Sequence, residues 1–226
     1  MRLVLWDLDH TLLEVRNISQ EAYAVGFERV TGVPLTRFAK MAGRTDRAII
    51  ADTFRLQGLS PSAEVIERVG RAVGEEYVAR ARLVRENGRV LPGAAEAVRE
   101  LGKRADVHQS VLTGNMLPIA RVKLGSLGLA DHLDLASGAF GMDHSERWRL
   151  VSLARRRAAT TLQVAVSPAN TILIGDTPLD VEAALRAGAR IVAVATGSSG
   201  SSALRAAGAE TVFEDLTDTA RLLREI

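Results

Sequence analysis

The stretch that decides the fold is LVLWDLDHT, residues 3–11. Four apolar residues come first, and two acids, Asp7 and Asp9, follow them. An unbroken apolar run of this length is typical of a strand that is covered on both faces, as in a parallel sheet. Because ligands of open α/β sheets bind beyond the carboxyl ends of the strands, the two acids are predicted to lie in a binding crevice.

Four later apolar runs also predict strands, namely SVL (110–112), TILI (171–174), IVAVA (191–195) and TVF (211–213). Helical patterns separate these runs, so we predict an α/β fold with a doubly wound parallel sheet. Residues 15–85 do not show this alternation of strands and helices, since they contain amphipathic helical patterns and no convincing strand. We therefore predict two domains: an α/β core of residues 1–14 and 86–226, and an inserted helical domain of residues 15–85. The segment GSSGSS, residues 197–202, is interpreted as a mobile surface loop.

Composition excludes several classes of protein. The 226 residues include no cysteine, which rules out disulfides and thiolate metal sites. No apolar run approaches the roughly 20 residues of a membrane helix, and acids interrupt the N-terminus where a signal peptide would be apolar. The net charge of +2 gives no argument for nucleic acid or a membrane as partner. We expect a cytoplasmic protein that is monomeric or homodimeric.

Polar residues close two of the later strands as well. These are Thr113, Gly114 and Asn115 after the second predicted strand, and Asp176 and Asp180 after the third. If the three strands are neighbours, four carboxylates and a threonine converge on one crevice. Carboxylates packed so closely repel one another unless a cation offsets them, and ligation by oxygen alone favours Mg²⁺ over zinc.

Each of these pieces also has a purely structural interpretation. Two acids after a strand are commonly just its polar end, and Thr113-Gly114-Asn115 makes a good turn. Asp180 follows Thr177 by three residues, with Pro178 between them, which is the pattern of a capping box at a helix start.

Taken together, the motifs resemble those of the haloacid dehalogenase superfamily. DxDxT at residues 7–11 resembles its first motif, the strand that ends in Thr113 its second, and GDxxxD at residues 175–180 its fourth. The helical insertion resembles the C1-type cap of that superfamily, with phosphoglycolate phosphatase-like members as the nearest kind. The resemblance implies a Mg²⁺-dependent phosphatase that hydrolyses a small phosphorylated metabolite.

The resemblance also implies roles for single residues. Asp7 attacks phosphorus and forms an aspartyl-phosphate. Asp9 protonates the leaving oxygen and then activates water. Mg²⁺ is held by the Asp7 side chain, the Asp9 backbone carbonyl and Asp176, and by Asp180 either directly or through water. The hydroxyl of Thr113 and backbone N–H groups near Gly114 and Asn115 bind the phosphate.

The third motif of the superfamily departs from its usual form. It is a basic residue, usually lysine, roughly 25 residues before the aspartate of the fourth motif. The chain has only three lysines, and none follows Lys123. Arg147, which precedes Asp176 by 29 residues, is our first candidate for this cation, with Lys123 as the alternative. Arginine is always charged and can fork onto phosphate oxygens, so the replacement is chemically sound.

Other activities of this superfamily differ in the motif residues that they require, so the sequence can be compared with each of them. Dehalogenases lack the second acid of the first motif, so Asp9 argues against them. Phosphonatase-like members use a lysine of the cap, where Lys40 is the only one. A sugar-phosphate mutase keeps both acids and stays open, as does a catalytically silent protein that binds a phosphorylated metabolite. His10 stands where the superfamily often has glycine. It either lines the entrance of the site or is a tolerated loop residue, and we favour the second interpretation.

The inserted segment contains one candidate substrate contact, in Gly43-Arg44-Thr45-Asp46 at the start of a predicted helix. Gly43 permits a close backbone approach, and Thr45 can cap the helix. Arg44 is predicted to meet the anionic or hydroxylated leaving group of a small phosphomonoester, such as a phosphoglycolate-like or sugar-phosphate molecule. The alternative is an exposed helix start without a role in binding.

Overall fold

The structure is a computed structural model that describes all 226 residues. Its strands are β1 (Arg2–Trp6), β2 (Leu13–Val15), β3 (Gly88–Val90), β4 (Val107–Leu112), β5 (Asp134–Ala139), β6 (Thr171–Gly175), β7 (Arg190–Val194) and β8 (Thr211–Phe213). The helices of the first half are α1 (Ser19–Thr31), α2 (Asp46–Leu56), α3 (Ala63–Ala79), α4 (Ala81–Asn87) and α5 (Ala94–Gly102). Those of the second half are α6 (Leu117–Ser126), α7 (Arg147–Leu162), α8 (Pro178–Arg186), α9 (Ser201–Ala206) and α10 (Thr219–Glu225).

Six strands form one parallel sheet in the order β5-β4-β1-β6-β7-β8. The first strand of the chain therefore lies at the centre, between β4 and β6. This order confirms the predicted doubly wound α/β fold, because the chain runs outward from β1 in both directions. It also confirms that the three strands followed by polar residues are neighbours.

Helices cover both faces of the sheet, which explains the unbroken apolar runs. In β1, Val4 and Trp6 belong to one apolar cluster, which α5, α6 and α10 cover. Leu3 and Leu5 belong to another, which α7, α8 and α9 cover. All four side chains are fully buried. Successive residues of a strand face opposite sides, so a strand with two buried faces needs apolar residues at every position.

In the sequence, helices α1 to α4 come between β2 and β3. These two short strands pair with each other as a small antiparallel ribbon. Helices α1 to α4 have an apolar cluster of their own, in which Phe27 and Phe54 pack with ring centroids 4.7 Å apart. Met116 and Ile119 of the α6 region join this cluster, so the insertion packs against the core. The division into a core and an inserted domain at residues 15 and 85 remains our proposal.

One element differs from the sequence expectations. Strand β5 was not predicted, since its sequence DLASGA has little of the branched apolar character of a buried strand. In the insertion, helix α3 is capped by Ser62, whose hydroxyl accepts from the backbone N–H of Val65, and α1 begins at Ser19 without a side-chain cap. None of the helices combines the length and the apolar character that crossing a membrane requires.

Candidate active site

The carboxyl ends of β4, β1 and β6 meet at one edge of the sheet and open into a pocket of about 370 Å³. Asp7 and Asp9 enter the pocket after β1, Thr113 after β4 and Asp176 after β6. Arg44 of the insertion lines the same pocket from the opposite side. The pocket is thus a crevice of the sheet that is roofed by the inserted helices.

Three buried carboxylates form the acidic centre of the pocket: Asp7, Asp176 and Asp180, each with an oxygen within 4.8 Å of the others. Burial raises the pKa of Asp7 to about 7, with repulsion from Asp180 and Asp9 adding to the effect and Arg147 opposing it. Burial also raises the pKa of Asp176 to about 8, together with repulsion from Asp7 and Asp180. The cluster therefore holds more negative charge than its protein surroundings neutralise.

Arg147 is the cation in direct contact with this cluster. It is the first residue of α7 and is nearly buried, and its Nη2 lies 2.8 Å from Oδ1 of Asp7 and 2.7 Å from Oδ1 of Asp180. Its Nε donates to the same Asp180 oxygen at 2.8 Å. Arg147, our first candidate for the cation of the third motif, thus lies beside Asp7, and its single guanidinium is the only cation in contact with a cluster of three carboxylates.

Asp180 carries out its structural and its site role at the same time. Its Oδ2 accepts from the backbone N–H of Thr177 at 3.1 Å and from the Thr177 hydroxyl at 2.6 Å, which completes the predicted capping box of α8. Its Oδ1 is engaged by Arg147. Both oxygens of this fully buried carboxylate therefore have protein partners, which favours contact with a cation through water over direct ligation.

The carboxylate of Asp9 lies outside the three-aspartate cluster and has its own cation. The Nζ of Lys123 lies 2.7 and 2.6 Å from its two oxygens, and the amide of Asn115 donates to Oδ2 at 2.7 Å. Burial alone would raise the pKa of Asp9, but the charge and hydrogen bonds of Lys123 outweigh it and lower the pKa. Lys123 is itself buried, and its ammonium lies 5.6 Å from the ring centroid of Tyr77. The structure thus gives each of the first two acids a separate cation.

The segment after β4 has two hydrogen-bond donors without a protein acceptor, one on Thr113 and one on Gly114. The hydroxyl oxygen of the buried Thr113 accepts from the backbone N–H and the side-chain amide of Asn115, so its hydrogen is free to point into the pocket. The N–H of Gly114 has no acceptor in the protein. The backbone N–H of Asn115 already donates to the hydroxyl oxygen of Thr113. The side-chain oxygen Oδ1 of Asn115 accepts from the Nζ of Lys123 at 2.9 Å. Asn115 therefore orients its neighbours in this arrangement, and its part as a backbone donor to phosphate stays a prediction.

The sequence analysis included Asp46 in the candidate segment Gly43-Arg44-Thr45-Asp46 but gave it no role of its own. It is a buried carboxylate that the insertion contributes to the pocket wall. Its Oδ1 accepts from the hydroxyl of Tyr23, and its Oδ2 accepts from the backbone N–H of Met116 at 2.6 Å. Its own N–H donates to the carbonyl of Gly114 at 2.8 Å. Asp46 therefore joins the insertion to the phosphate-facing segment of the core. No local signal identifies it, because Tyr23 and Met116 are far away in the chain.

The residues after Asp46 continue this junction. The N–H of Arg47 donates to the carbonyl of Gly141 at 3.0 Å, and the hydroxyl of Thr45 donates to that of Ser145 at 3.0 Å. Thr45 also caps α2, as predicted, by accepting from the N–H of Ala48. A Cβ atom on Gly114 would lie 2.0 Å from the carbonyl oxygen of Arg44, so only glycine allows this approach.

Arg44 reaches the pocket but is not free. Its guanidinium pairs with Asp52 of α2 and donates to the carbonyl of Lys40 at 3.2 Å. Gly43 has a φ of 68°, and a Cβ atom there would lie 2.7 Å from Oγ1 of Thr177, so the chain makes the close approach that glycine permits. The structure therefore brings the segment Gly43-Arg44-Thr45-Asp46 to the pocket, and the carboxylate of Asp52 orients Arg44 there.

Two further residues near Asp176 were interpreted too simply. Gly197, in the supposed surface loop, packs so closely on Asp176 that a Cβ atom would lie 1.9 Å from its Oδ2. His10 adopts a φ of 60°, which explains why a glycine is suited to its position. The hydroxyl of Thr196 donates to the carbonyl of His10 and fixes this turn. The loop after β7 thus closes one side of the pocket.

The donor set fits a hard divalent cation. It consists of carboxylate oxygens, contains neither histidine nor thiolate, and one oxygen of Asp7 has no protein partner. The raised pKa values of Asp7 and Asp176 point the same way, since a bound cation removes the repulsion that raises them. Asp7 and Asp176 are the residues best placed to hold it.

Comparison with known proteins identifies the family. The sequence profile of the haloacid dehalogenase-like hydrolases matches residues 4–185. No curated protein sequence matches the chain. Among solved structures, a hydrolase from Pseudomonas syringae superposes with a TM-score of 0.71 at 24% identity, over 100% of this chain and 99% of that one.

Two other solved structures carry more specific names. A protein from Haemophilus somnus, described as a predicted phosphoglycolate phosphatase, has a TM-score of 0.65 at 16% identity, over 99% of this chain and 98% of that one. A provisionally named β-phosphoglucomutase from Thermotoga maritima has a TM-score of 0.57 at 20% identity, over 100% of both chains. At these identities the similarity shows a shared fold and does not choose between the two activities.

Proposed function

This chain belongs to the haloacid dehalogenase-like hydrolase family, and we propose that it is a Mg²⁺-dependent phosphatase of a small phosphomonoester. The observation that carries the proposal is the state of Asp7. Its Oδ1 is held by Arg147, while its other oxygen has no protein partner and faces the pocket. A carboxylate that is oriented through one oxygen and free at the other is suited to nucleophilic attack.

In the first step, the free oxygen of Asp7 forms a bond to phosphorus as the bond from phosphorus to the leaving oxygen breaks. Asp9 gives that oxygen its proton. In the second step, Asp9 takes a proton from water, whose oxygen bonds to phosphorus while the aspartyl-phosphate bond breaks. Asp7 is regenerated and inorganic phosphate leaves. Mg²⁺ held by Asp7, Asp176 and the Asp9 carbonyl would neutralise charge on the transferring phosphoryl group.

The Lys123 contact defines how Asp9 alternates between acid and base. With its pKa lowered, Asp9 is ionised in this arrangement and suited to the second step. To act as an acid it must first gain a proton, which requires its contact with Lys123 to weaken. An incoming phosphate, which also attracts the Lys123 ammonium, supplies a reason for that weakening.

Three groups around Asp7 are suited to hold the phosphate. The Thr113 hydroxyl and the Gly114 N–H have donors to spare, and Arg147 supplies positive charge beside the nucleophile. Fixed donors of this kind stabilise the charge that develops during phosphoryl transfer. Lys123, held on Asp9, stands second to Arg147 as the cation of the third motif.

The pocket supports a small substrate. Its volume of about 370 Å³ lies at the lower end of the range for small-molecule sites, and the insertion roofs it. Arg44, which lines the roof, is suited to an anionic or hydroxylated leaving group. A phosphoglycolate-like molecule or a sugar phosphate fits these limits, whereas a folded phosphoprotein or a nucleic acid does not.

Two assays test the proposal. Hydrolysis of p-nitrophenyl phosphate with and without Mg²⁺ separates an enzyme from a protein that only binds phosphorylated metabolites. A screen of phosphorylated metabolites then identifies the substrate. Adding a sugar monophosphate with a catalytic amount of its bisphosphate distinguishes a mutase, which would give an isomer without releasing phosphate. No turnover of any phosphomonoester by folded, Mg²⁺-loaded protein would reject the proposal.

A further inference from the structure

A second cavity lies apart from the candidate active site. It is a cleft of about 540 Å³ between helix α3 of the insertion and the core elements α6, β5 and α7. None of the acids described above lines it. We propose that this cleft is a second ligand site, which takes a small amphipathic anion with an aromatic or aliphatic body and one carboxylate, sulfonate or phosphate group.

The floor of the cleft is apolar and adaptable. Met116, Leu117, Phe140 and Met142 supply much of it, and none of them carries a charge. Methionine side chains are flexible and polarizable, so a floor that contains two of them can adjust to ligands of different shape. A cavity of this volume with an apolar floor lies within the range of known small-molecule sites.

Helix α3 is built to lie close to these methionines. Gly70 and Gly74 are one helical turn apart and share a face. A Cβ atom on Gly70 would lie 2.7 Å from Cε of Met142, and one on Gly74 would lie 3.2 Å from Sδ of Met116. A glycine in the middle of a helix lowers helix stability by about 1 kcal/mol relative to alanine. The two glycines therefore allow the close approach of the methionines at the cost of helix stability.

The rim of the cleft has unneutralised positive charge. Its two acids are already paired: Glu67 with Arg47, and Asp143 with Arg157. The two remaining charged residues of the lining, Arg71 and Arg121, make no ion pair or side-chain hydrogen bond in the structure. Two unpaired guanidinium groups above an apolar floor complement a ligand with an apolar body and an anionic head.

The cleft and the active-site pocket share a wall. The N–H of Met116, on the cleft floor, is held by Asp46, which lines the active-site pocket. Arg47, the next residue, donates to the carbonyl of Met142 at 3.2 Å, also on the floor. A ligand in the cleft would contact the insertion and the core together and would therefore stabilise the arrangement in which the insertion covers the active site.

The test uses 8-anilinonaphthalene-1-sulfonate as the amphipathic anion and its fluorescence as the readout, on the full-length protein. We expect one saturable site per chain and weaker binding of the uncharged analogue N-phenyl-1-naphthylamine. The double variant Arg71→Gln/Arg121→Gln should raise the Kd about tenfold or more, the effect of losing a charge-assisted hydrogen bond. The matched control Arg37→Gln/Arg85→Gln, with the same loss of charge at exposed positions, should change the Kd less than about twofold.

A second variant tests the location without altering charge. Ala136→Phe, on the exposed part of the lining, should fill the cleft and abolish binding of the probe. Unchanged binding in both variants, or equal effects in the control pair, would overturn the proposal. Circular dichroism of each variant establishes that it is folded.

Discussion

The Nη2 atom of Arg147 lies 2.8 Å from Oδ1 of Asp7, and both side chains are more than nine-tenths buried. The same guanidinium contacts Asp180, so one cation joins the end of β1 to the start of α8. A buried ion pair of this kind orients the carboxylate but leaves charge uncompensated if the cation is removed.

Arg147 should therefore matter more than Lys123 for catalysis. We expect Arg147→Ala to lower kcat/KM for p-nitrophenyl phosphate by about 10²- to 10³-fold, because a fixed donor beside the transferring group is lost. Lys123→Ala should cost clearly less, and Arg149→Ala, an exposed neighbour that pairs with Glu146, should have little effect. Steady-state kinetics of the three purified variants give the ranking. A larger loss in Lys123→Ala would move the role of the third-motif cation to Lys123.

The two acids after β1 should have separable effects. Asp7→Asn should abolish turnover while leaving the fold intact, since the amide is nearly isosteric but is not a competent nucleophile. Asp9→Asn should lower kcat by about 10²- to 10⁴-fold, the usual contribution of positioned proton transfer. Single-turnover and steady-state assays measure both, with circular dichroism as the check on folding. Near wild-type kinetics in a folded Asp7→Asn protein would exclude Asp7 as the nucleophile.

Activity should depend on Mg²⁺. Burial and mutual repulsion raise the pKa values of Asp7 and Asp176 to about 7 and about 8, so without a cation the nucleophile is partly protonated at neutral pH. Treatment with EDTA should remove activity and excess Mg²⁺ should restore it. Ca²⁺ should bind but support turnover poorly, because its longer and looser coordination fits in-line transfer less well. Full activity in metal-free protein would contradict the expectation.

Arg44→Ala should act on substrate binding and not on chemistry. We expect a higher KM for the best small metabolite and almost no change with p-nitrophenyl phosphate, whose leaving group has no anionic or hydroxylated part for Arg44 to contact. Arg55→Ala, which removes the other arginine paired with Asp52, is a matched control outside the pocket. An equal effect of Arg44→Ala on both substrates would remove Arg44 from the substrate contacts.

Asp46 should make the stability of the protein depend on pH. Burial raises its pKa from 3.8 to about 6, against hydrogen bonds from Tyr23 and Met116 that lower it. The folded protein therefore keeps a proton that the unfolded chain loses between about pH 4 and pH 6. The stability that Asp46 contributes is fully present below this window and is lost as the pH rises through it.

The variant Asp46→Asn removes this titration and can keep both hydrogen bonds, since an amide both accepts and donates. Between pH 4 and pH 7 the free energy of unfolding of the variant, relative to the parent, should rise by on the order of 3 kcal/mol, at about 1.4 kcal/mol per pKa unit. Urea unfolding at a series of pH values measures it, with the exposed Glu64→Gln as control. A difference that stays constant with pH would show that Asp46 does not titrate in this range.

The sequence alone was enough to predict the fold and to identify most of the acidic residues of the candidate site. Unbroken apolar runs that end in polar residues predicted the parallel sheet, and the spacing of Asp7, Asp9, Asp176 and Asp180 predicted their common crevice. This worked because a strand covered on both faces leaves a local trace at every position, and because strand ends of a parallel sheet share one edge. The capping box of Thr177 and Asp180 was also predicted, since both of its partners lie within four residues.

Only the tertiary structure decided which groups face one another. The sequence placed Arg147 and Lys123 near the site but did not assign one to Asp7 and the other to Asp9, because those contacts join residues more than 100 positions apart. Asp46 carried no signal, since its partners come from α1 and from the start of α6. The local pattern of apolar and polar residues indicates which faces of each helix or strand are buried. The pairing of charges across a crevice depends instead on how the helices and strands pack against one another.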